Sequence, residues 1–306
     1  MSDPQFTILL PVHRPPALLP HAIASILAQK RQDFELFIIC DGAPLETVAC
    51  AERFAQRDHR IRVFAHPKGA RNGEAYRHLA LQQARGGYVC QIGDDDLWLP
   101  NHLVEMARLL VDVDFGNLPQ IEVGTDGALN LVPGDLADAA TRQRMQDRPY
   151  NFFGPTVCGY RLNAYRALPE GWTPAPPEAP NDLFMWRKFL AQDGLRFGTR
   201  SAISSLKFTA YWRADWPIER RAAEIAAWAE RLSRPEGQYE ITQAALHQAN
   251  RTLYDVYQQL DRLRRRLTER TRQLDKWRSR ERAMKATLSW RFTRPFRRLG
   301  RLLRRS

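Results

Sequence analysis

Three consecutive carboxylates, Asp94-Asp95-Asp96, follow Gly93 directly after the apolar run Tyr88-Val89-Cys90-Gln91-Ile92. Adjacent anions repel one another. A hard divalent cation with oxygen ligands, itself bound to a diphosphate, would offset that repulsion. The competing explanation is a solvated acidic turn that caps the helix beginning near Pro100. Two more polar clusters close apolar runs in the same way: Pro11-Val12-His13-Arg14 after Phe6 to Leu10, and Asp41-Gly42 after Phe34 to Cys40.

The elements that must position these clusters follow from periodicity. Phe6 to Val12 is a continuous apolar run of strand length, and Leu18, Leu19, Ile23, Ile26 and Leu27 then recur at helical spacing. The cycle repeats as strand 34–40, helix 45–57, strand 61–65, helix 73–84 and strand 88–92. Alternation of this kind predicts a parallel sheet covered by helices, with ligands bound beyond the carboxyl ends of its strands. The three polar clusters are therefore expected in one crevice. Beyond Leu110 the pattern weakens to short strands near 121–123 and 156–161, a surface loop through Trp172 to Pro180, a helix opened by Asn181-Asp182, and two short strands between Arg196 and Phe208.

Charge is unevenly distributed. Of the 46 Lys+Arg and 34 Asp+Glu, residues Glu236 to Ser306 hold 19 and 7, so the formal excess of +12 resides there and the preceding part is neutral. A basic partner surface belongs to that tail and not to the core. Cys40, Cys50, Cys90 and Cys158 show no Cys-x-x-Cys spacing, and reduced core thiols in a cytosolic protein are expected. The N-terminus has no leader pattern, and no run approaches the ~18 apolar residues of a membrane span. Membrane attachment is expected to be peripheral at most.

After Ser233 to Gly237 the character changes. Leu246, Leu253, Leu260, Leu267 and Leu274 recur every seven residues, with Ala249, Val256, Leu263 and Trp277 three residues after four of them and Arg270 interrupting the second position. The pattern predicts a self-associating coiled coil, the alternative being a long helix packed on its own domain. In the last segment arginines interleave with Phe296, Leu299, Leu302 and Leu303, which share one side of a helix begun at Pro295. Such a helix suits an anionic membrane surface; nucleic acid is the competing and less favoured polyanion.

Taken together, the stretches Ile8-Leu9-Leu10-Pro11-Val12-His13, Cys40-Asp41-Gly42-Ala43, Arg77-His78 through Gly86-Gly87-Tyr88, and Ile92-Gly93-Asp94-Asp95-Asp96-Leu97-Trp98-Leu99-Pro100 resemble, in order, the motifs of family 2 glycosyltransferases. The likeness covers roughly the first 210 residues. It implies a GT-A (Rossmann-like) α/β fold with a mostly parallel central sheet. The implied organisation is a catalytic domain over 1–234, a helical coiled-coil segment over 235–288 and a basic amphipathic tail over 289–306.

The resemblance also assigns roles. Asp41 matches the carboxylate that accepts from a pyrimidine imide, Pro11 and His13 sit where the base packs, and Arg77 matches an arginine near the nucleotide and diphosphate. Asp95 and Asp96 are expected on the metal side with Mg²⁺ or Mn²⁺, and Asp94 nearer the ribose or also touching the metal. Asn181-Asp182-Leu183-Phe184-Met185-Trp186-Arg187 resembles the family's Glu-Asp-x-x-x-Trp-x-Arg helix start, which makes Asp182 the general base of an inverting transfer; its alternative is an ordinary helix cap, and Glu178 is the reserve base. The implied reaction moves a sugar from a UDP- or dTDP-sugar to a hydroxyl of a glycan or lipid-linked glycan, with a homo-oligomer formed through the C-terminal helix. Cys40 in place of the first aspartate of Asp-Asp-Gly-Ser, Gly93 in place of the first acid of DxD, and His78 in place of asparagine depart from the pattern. These departures sustain a rival reading, a noncatalytic nucleotide-sugar- or glycan-binding scaffold.

Overall fold

A computed structural model describes residues 3–293. In chain order the elements are β1 (Phe6–Val12), α1 (Leu19–Leu27), β2 (Phe34–Asp41), α2 (Leu45–Arg57), β3 (Ile61–His66), α3 (Glu74–Gln82), β4 (Tyr88–Gln91), β5 (Leu97–Trp98), α4 (His102–Leu110), β6 (Phe115–Asn117), β7 (Gln120–Val123) and β8 (Leu129–Val132). They continue with α5 (Ala139–Asp147), β9 (Cys158–Arg161), α6 (Leu162–Arg166), α7 (Asn181–Leu190), β10 (Phe197–Thr199), β11 (Ser205–Leu206), α8 (Ile218–Leu232), α9 (Pro235–Ala286) and α10 (Leu288–Phe292).

The main sheet has the order β10-β6-β9-β4-β1-β2-β3. Neighbours run parallel except at β9, which lies antiparallel between β4 and β6. Every residue of β2 is buried, because helices cover both faces, and this explains why these strands read as unbroken apolar runs and not as alternating ones. Register sets up the site. Val12 pairs with Cys40 and Leu9 with Gln91, so the chain leaves β1, β2 and β4 on one edge. His13-Arg14, Asp41 and Asp94-Asp95-Asp96 all emerge there, as the periodicity predicts.

A second apolar cluster builds the other wall. Leu97, Ile121, Val123 and Leu206 come from the two-stranded pairs β5–β11 and β7–β8, Leu99 and Phe208 follow just beyond β5 and β11, and Ile225, Trp228 and Leu232 of α8 pack with them. Burial of each such side chain contributes roughly 1.5–3 kcal/mol. Ile241 and Ala245, from the first turns of α9, belong to the same cluster. The described residues accordingly divide into two compact units at Gln248/Ala249, later than the composition shift at Pro235.

In the second unit the heptad residues of α9 from Leu253 onward are exposed: Leu253, Leu267 and Trp277 each show 67% or more of their surface. Surface pairs one turn apart, Arg265–Asp261 and Lys285–Glu281, support the helix. Among the described residues no helix is long and apolar enough to cross a membrane. Pro295, Phe296, Leu299, Leu302 and Leu303 of the expected amphipathic tail lie outside the described residues. The four cysteines are free and buried, and burial pushes the Cys40 thiol up to about 11.

Candidate active site

Asp41 ends β2 and is held from β3. The pairing of Asp41 with His66 brings the next loop alongside it, so that the Gly69 amide donates to Asp41 Oδ1 at 2.6 Å and Lys68 Nζ to Oδ2 at 2.6 Å. Gly73 closes this cradle. Its φ of +69° favours glycine, and a Cβ there would lie 2.7 Å from the Asp41 carboxyl carbon. Pro11 stands in β1 opposite Ile39. His13 is exposed just beyond β1; desolvation of its covered part, then the charges of Arg14 and Lys68, lower its imidazole below the ordinary value.

The three consecutive aspartates have three different environments. Asp96 is bound into the protein: Oδ1 accepts from the Phe208 amide at 2.9 Å, and Oδ2 accepts from the Thr156 hydroxyl and faces Lys207 Nζ at 3.5 Å. Asp95 Oδ2 takes two guanidinium groups, Arg14 Nη1 at 2.8 Å and Arg221 Nη2 at 2.7 Å. Asp94 Oδ2 faces Arg14 Nε at 3.3 Å yet is buried without a hydrogen bond. Burial, with the neighbouring Asp95 and Asp96 charges, pushes the Asp94 carboxyl up against the pull of Arg14. For Asp95 burial pushes the same way, but Arg14, Lys207 and Arg221 outweigh it and hold the carboxyl below its usual value. The solvated acidic turn is not what forms, since all three side chains are buried.

This arrangement also explains Gly93. A Cβ at that position would lie 3.0 Å from Asp95 Oδ1 and 3.2 Å from Asp96 Oδ2, so a side chain there would crowd two carboxylates. Among the described residues no three His, Cys, Asp or Glu side chains form a ready-made metal cage. The oxygen donor left without a hydrogen bond here is the buried Asp94 Oδ2, and carboxylate oxygen is the ligand type that hard divalent cations take.

Arg77, on the inward face of α3, is buried. Its guanidinium carbon lies 4.8 Å from the centre of the Trp172 ring, one Nη donates to the Asn72 carbonyl at 3.0 Å, and Nε and the other Nη make no hydrogen bond. Asp182 occupies the second position of α7. Burial pushes its carboxyl up, while Arg77 and Lys207 pull it down, and Asp182 in turn is the largest charge sustaining Arg77 against its own burial. The start of α7 is tied to the loop before α3 by Arg71, whose guanidinium reaches the Asn181 side chain at 3.2 Å and the Ala179 carbonyl at 3.2 Å from a backbone φ of +55°. His78 bonds the Tyr165 hydroxyl at 2.8 Å, and this hydroxyl accepts from the Trp172 amide; His78 thus steadies the ring under Arg77. Glu178 is exposed in the proline loop.

Sequence reasoning missed four basic side chains. Arg14 was legible only as part of a polar cluster at a strand end. Lys68 gave no sign of its bond to Asp41. Lys207 follows the two-residue strand Ser205-Leu206, which is a weak signal, and Arg221 sits in the charged run of α8 and gave none.

Residues 7–168 match the family model described as glycosyl transferase family 2. Among curated proteins, the succinoglycan biosynthesis protein ExoW of Rhizobium meliloti is 29% identical over 112 residues, 36% of this chain and 35% of that one. An uncharacterized glycosyltransferase of Haemophilus influenzae is 28% identical over 111 residues, 36% of this chain and 44% of that one. The matched segment thus spans less than half the length of either relative. In fold, the chain resembles S. aureus TarS 1–349, with a TM-score of 0.54, 15% identity, and coverage of 81% of this chain and 71% of that one. It also resembles the mannosyltransferase PcManGT from Pyrobaculum calidifontis, with a TM-score of 0.52, 16% identity, and coverage of 79% and 69%.

Proposed function

The chain belongs to glycosyl transferase family 2, and on that premise we propose that it is an inverting glycosyltransferase that moves a sugar from a nucleoside diphosphate to a hydroxyl of a glycan or lipid-linked glycan. The observation that carries this reading is the convergence at the carboxyl ends of β1, β2 and β4 of Arg14, Asp41 and three buried aspartates, with Arg14 bridging Asp94 and Asp95 and Lys207 Nζ 3.5 Å from Asp96 Oδ2. The solved neighbours support the donor class, since TarS was crystallised with UDP and with UDP-GlcNAc, and PcManGT with GDP-Man and Mn²⁺. ExoW, named for succinoglycan biosynthesis, supports a polysaccharide acceptor.

In this reading Asp41 orients the base, with UDP or dTDP as the preferred carrier, and Pro11 and His13 flank it. Arg77, with two unused donors, holds the nucleotide-diphosphate region. The metal-side pair shifts from Asp95 and Asp96 to Asp94 and Asp95, because both Asp96 oxygens are already taken by Thr156, Phe208 and Lys207. Asp94 and Asp95 would hold Mg²⁺ or Mn²⁺, which would supply Lewis-acid charge at the departing diphosphate. Asp182, its carboxyl raised by burial, accepts the proton of the acceptor hydroxyl as that oxygen attacks the anomeric carbon; the bond from that carbon to the phosphate oxygen breaks, and its electron pair leaves with the nucleoside diphosphate.

The exposed heptad seam of α9 joins two copies of the chain, and the basic terminus places the pair on the cytoplasmic face of the membrane. The test of the whole reading is donor hydrolysis with Mn²⁺, comparing the parent with Asp95→Ala and Asp182→Ala. Metal-independent background in all three would remove the enzyme reading in favour of a binding scaffold.

A further inference from the structure

Beyond the residues assigned above, we propose that Arg221 of α8 is a diphosphate-binding residue, which exchanges its contact with Asp95 for the phosphate oxygens of the donor. The inference rests on the donor reading of the site. Three observations carry it.

The first is redundancy. A single oxygen, Asp95 Oδ2, accepts from both Arg14 and Arg221, at 2.8 and 2.7 Å. Arg14 is anchored independently: it bridges to Asp94, and its carbonyl accepts from the Thr47 hydroxyl at 2.9 Å. Removal of Arg221 leaves Asp95 paired, whereas Arg221 has no other carboxylate partner among the described ion pairs.

The second is an unused donor. Arg221 Nε is buried and makes no hydrogen bond. Nε together with one Nη forms the fork that fits two oxygens of a phosphate, and such a bidentate contact satisfies the donor that Asp95 leaves free.

The third is placement. Arg221, Ile225, Trp228 and Leu232 share one face of α8, and the last three are buried in the second apolar cluster. That packing fixes the helix, so the side chain needs only rotamer changes to turn from the carboxylate to a neighbouring anion. Arg221 is also the fourth residue of α8, where a cation is opposed by the helix dipole; helix stability is therefore not what the residue supplies.

The experiment uses the full chain and measures binding of UDP, dTDP and GDP with Mn²⁺ by calorimetry, taking the tightest, and binding of Mn²⁺ alone by electron paramagnetic resonance. Arg221→Gln is expected to weaken the nucleotide about tenfold. Mn²⁺ binding without nucleotide is expected to strengthen, because a competitor for Asp95 is gone. A merely structural role would not move the two in opposite directions. If Arg221→Gln does not fold, Arg221→Lys carries the test through its nucleotide affinity: the ammonium keeps the charge but loses the fork, so weaker binding supports the proposal and parent-like binding overturns it. A folded Arg221→Gln that binds nucleotide as the parent does also overturns it, and this alone. A parent that binds none of the three nucleotides overturns the donor reading with it.

Discussion

Lys207 Nζ lies 3.5 Å from Asp96 Oδ2, an oxygen that already accepts from the Thr156 hydroxyl. The third aspartate is thereby a tie between segments far apart in the chain, since its other oxygen holds the amide of Phe208, 112 residues away. Asp96→Ala is expected to destabilise the protein by about 3–5 kcal/mol, because it strands a buried hydroxyl and amide and removes the anion beside Lys207. Urea unfolding measures this. A loss under about 1 kcal/mol would contradict the structural role.

Asp182→Asn tests the base. The amide preserves shape but cannot accept the hydroxyl proton, so kcat is expected to fall about 10²- to 10⁴-fold with little change in nucleotide affinity. Steady-state kinetics beside calorimetry separates this from a helix-cap role, which predicts lower melting temperature with kcat nearly intact.

The Asp94 carboxyl provides a pH signature. Burial raises it from 3.8 to about 7 in the folded protein, so in the interval between the two values the folded chain keeps a proton that the unfolded chain has lost. The stability this carboxyl contributes is full below about pH 4 and is lost as pH rises through about 7. Asp94→Asn imitates the protonated form. Its melting temperature should match the parent near pH 4, rise above it as pH increases, and hold a constant advantage of about 5 °C or more above pH 7.5. An advantage independent of pH would reject this assignment.

For the α9 seam, Leu260→Lys with Leu267→Lys places two charges among exposed apolar residues. The parent should sediment as a dimer and the double variant as a monomer with donor hydrolysis intact. A monomeric parent at micromolar concentration would remove the proposed self-association.

The first half of the fold was legible because its information is local. Apolar runs such as Ile8 to Leu10 and Phe37 to Cys40 are buried on both faces, and the parallel-sheet rule then sends Asp41 and the aspartates to one edge without knowledge of any contact. What could not be read is what depends on distant partners. Nothing near Asp96 announces that Thr156 and Phe208 occupy its oxygens, and nothing in the charged run Glu219-Arg220-Arg221 distinguishes the arginine that reaches Asp95. The strand β9 is legible within 156–161, but its antiparallel place between β4 and β6 is not, because four residues carry too little periodicity to specify a neighbour.

The packing of Ile241 and Ala245 beside Ile225, Trp228 and Leu232 has a consequence for shortening the chain. A protein cut at Arg234, where composition changes, would bare an oily patch on α8 and should clump or be digested. A cut just after Gln248 retains the two residues that cover that patch and should yield a shortened enzyme that stays dispersed and resists protease.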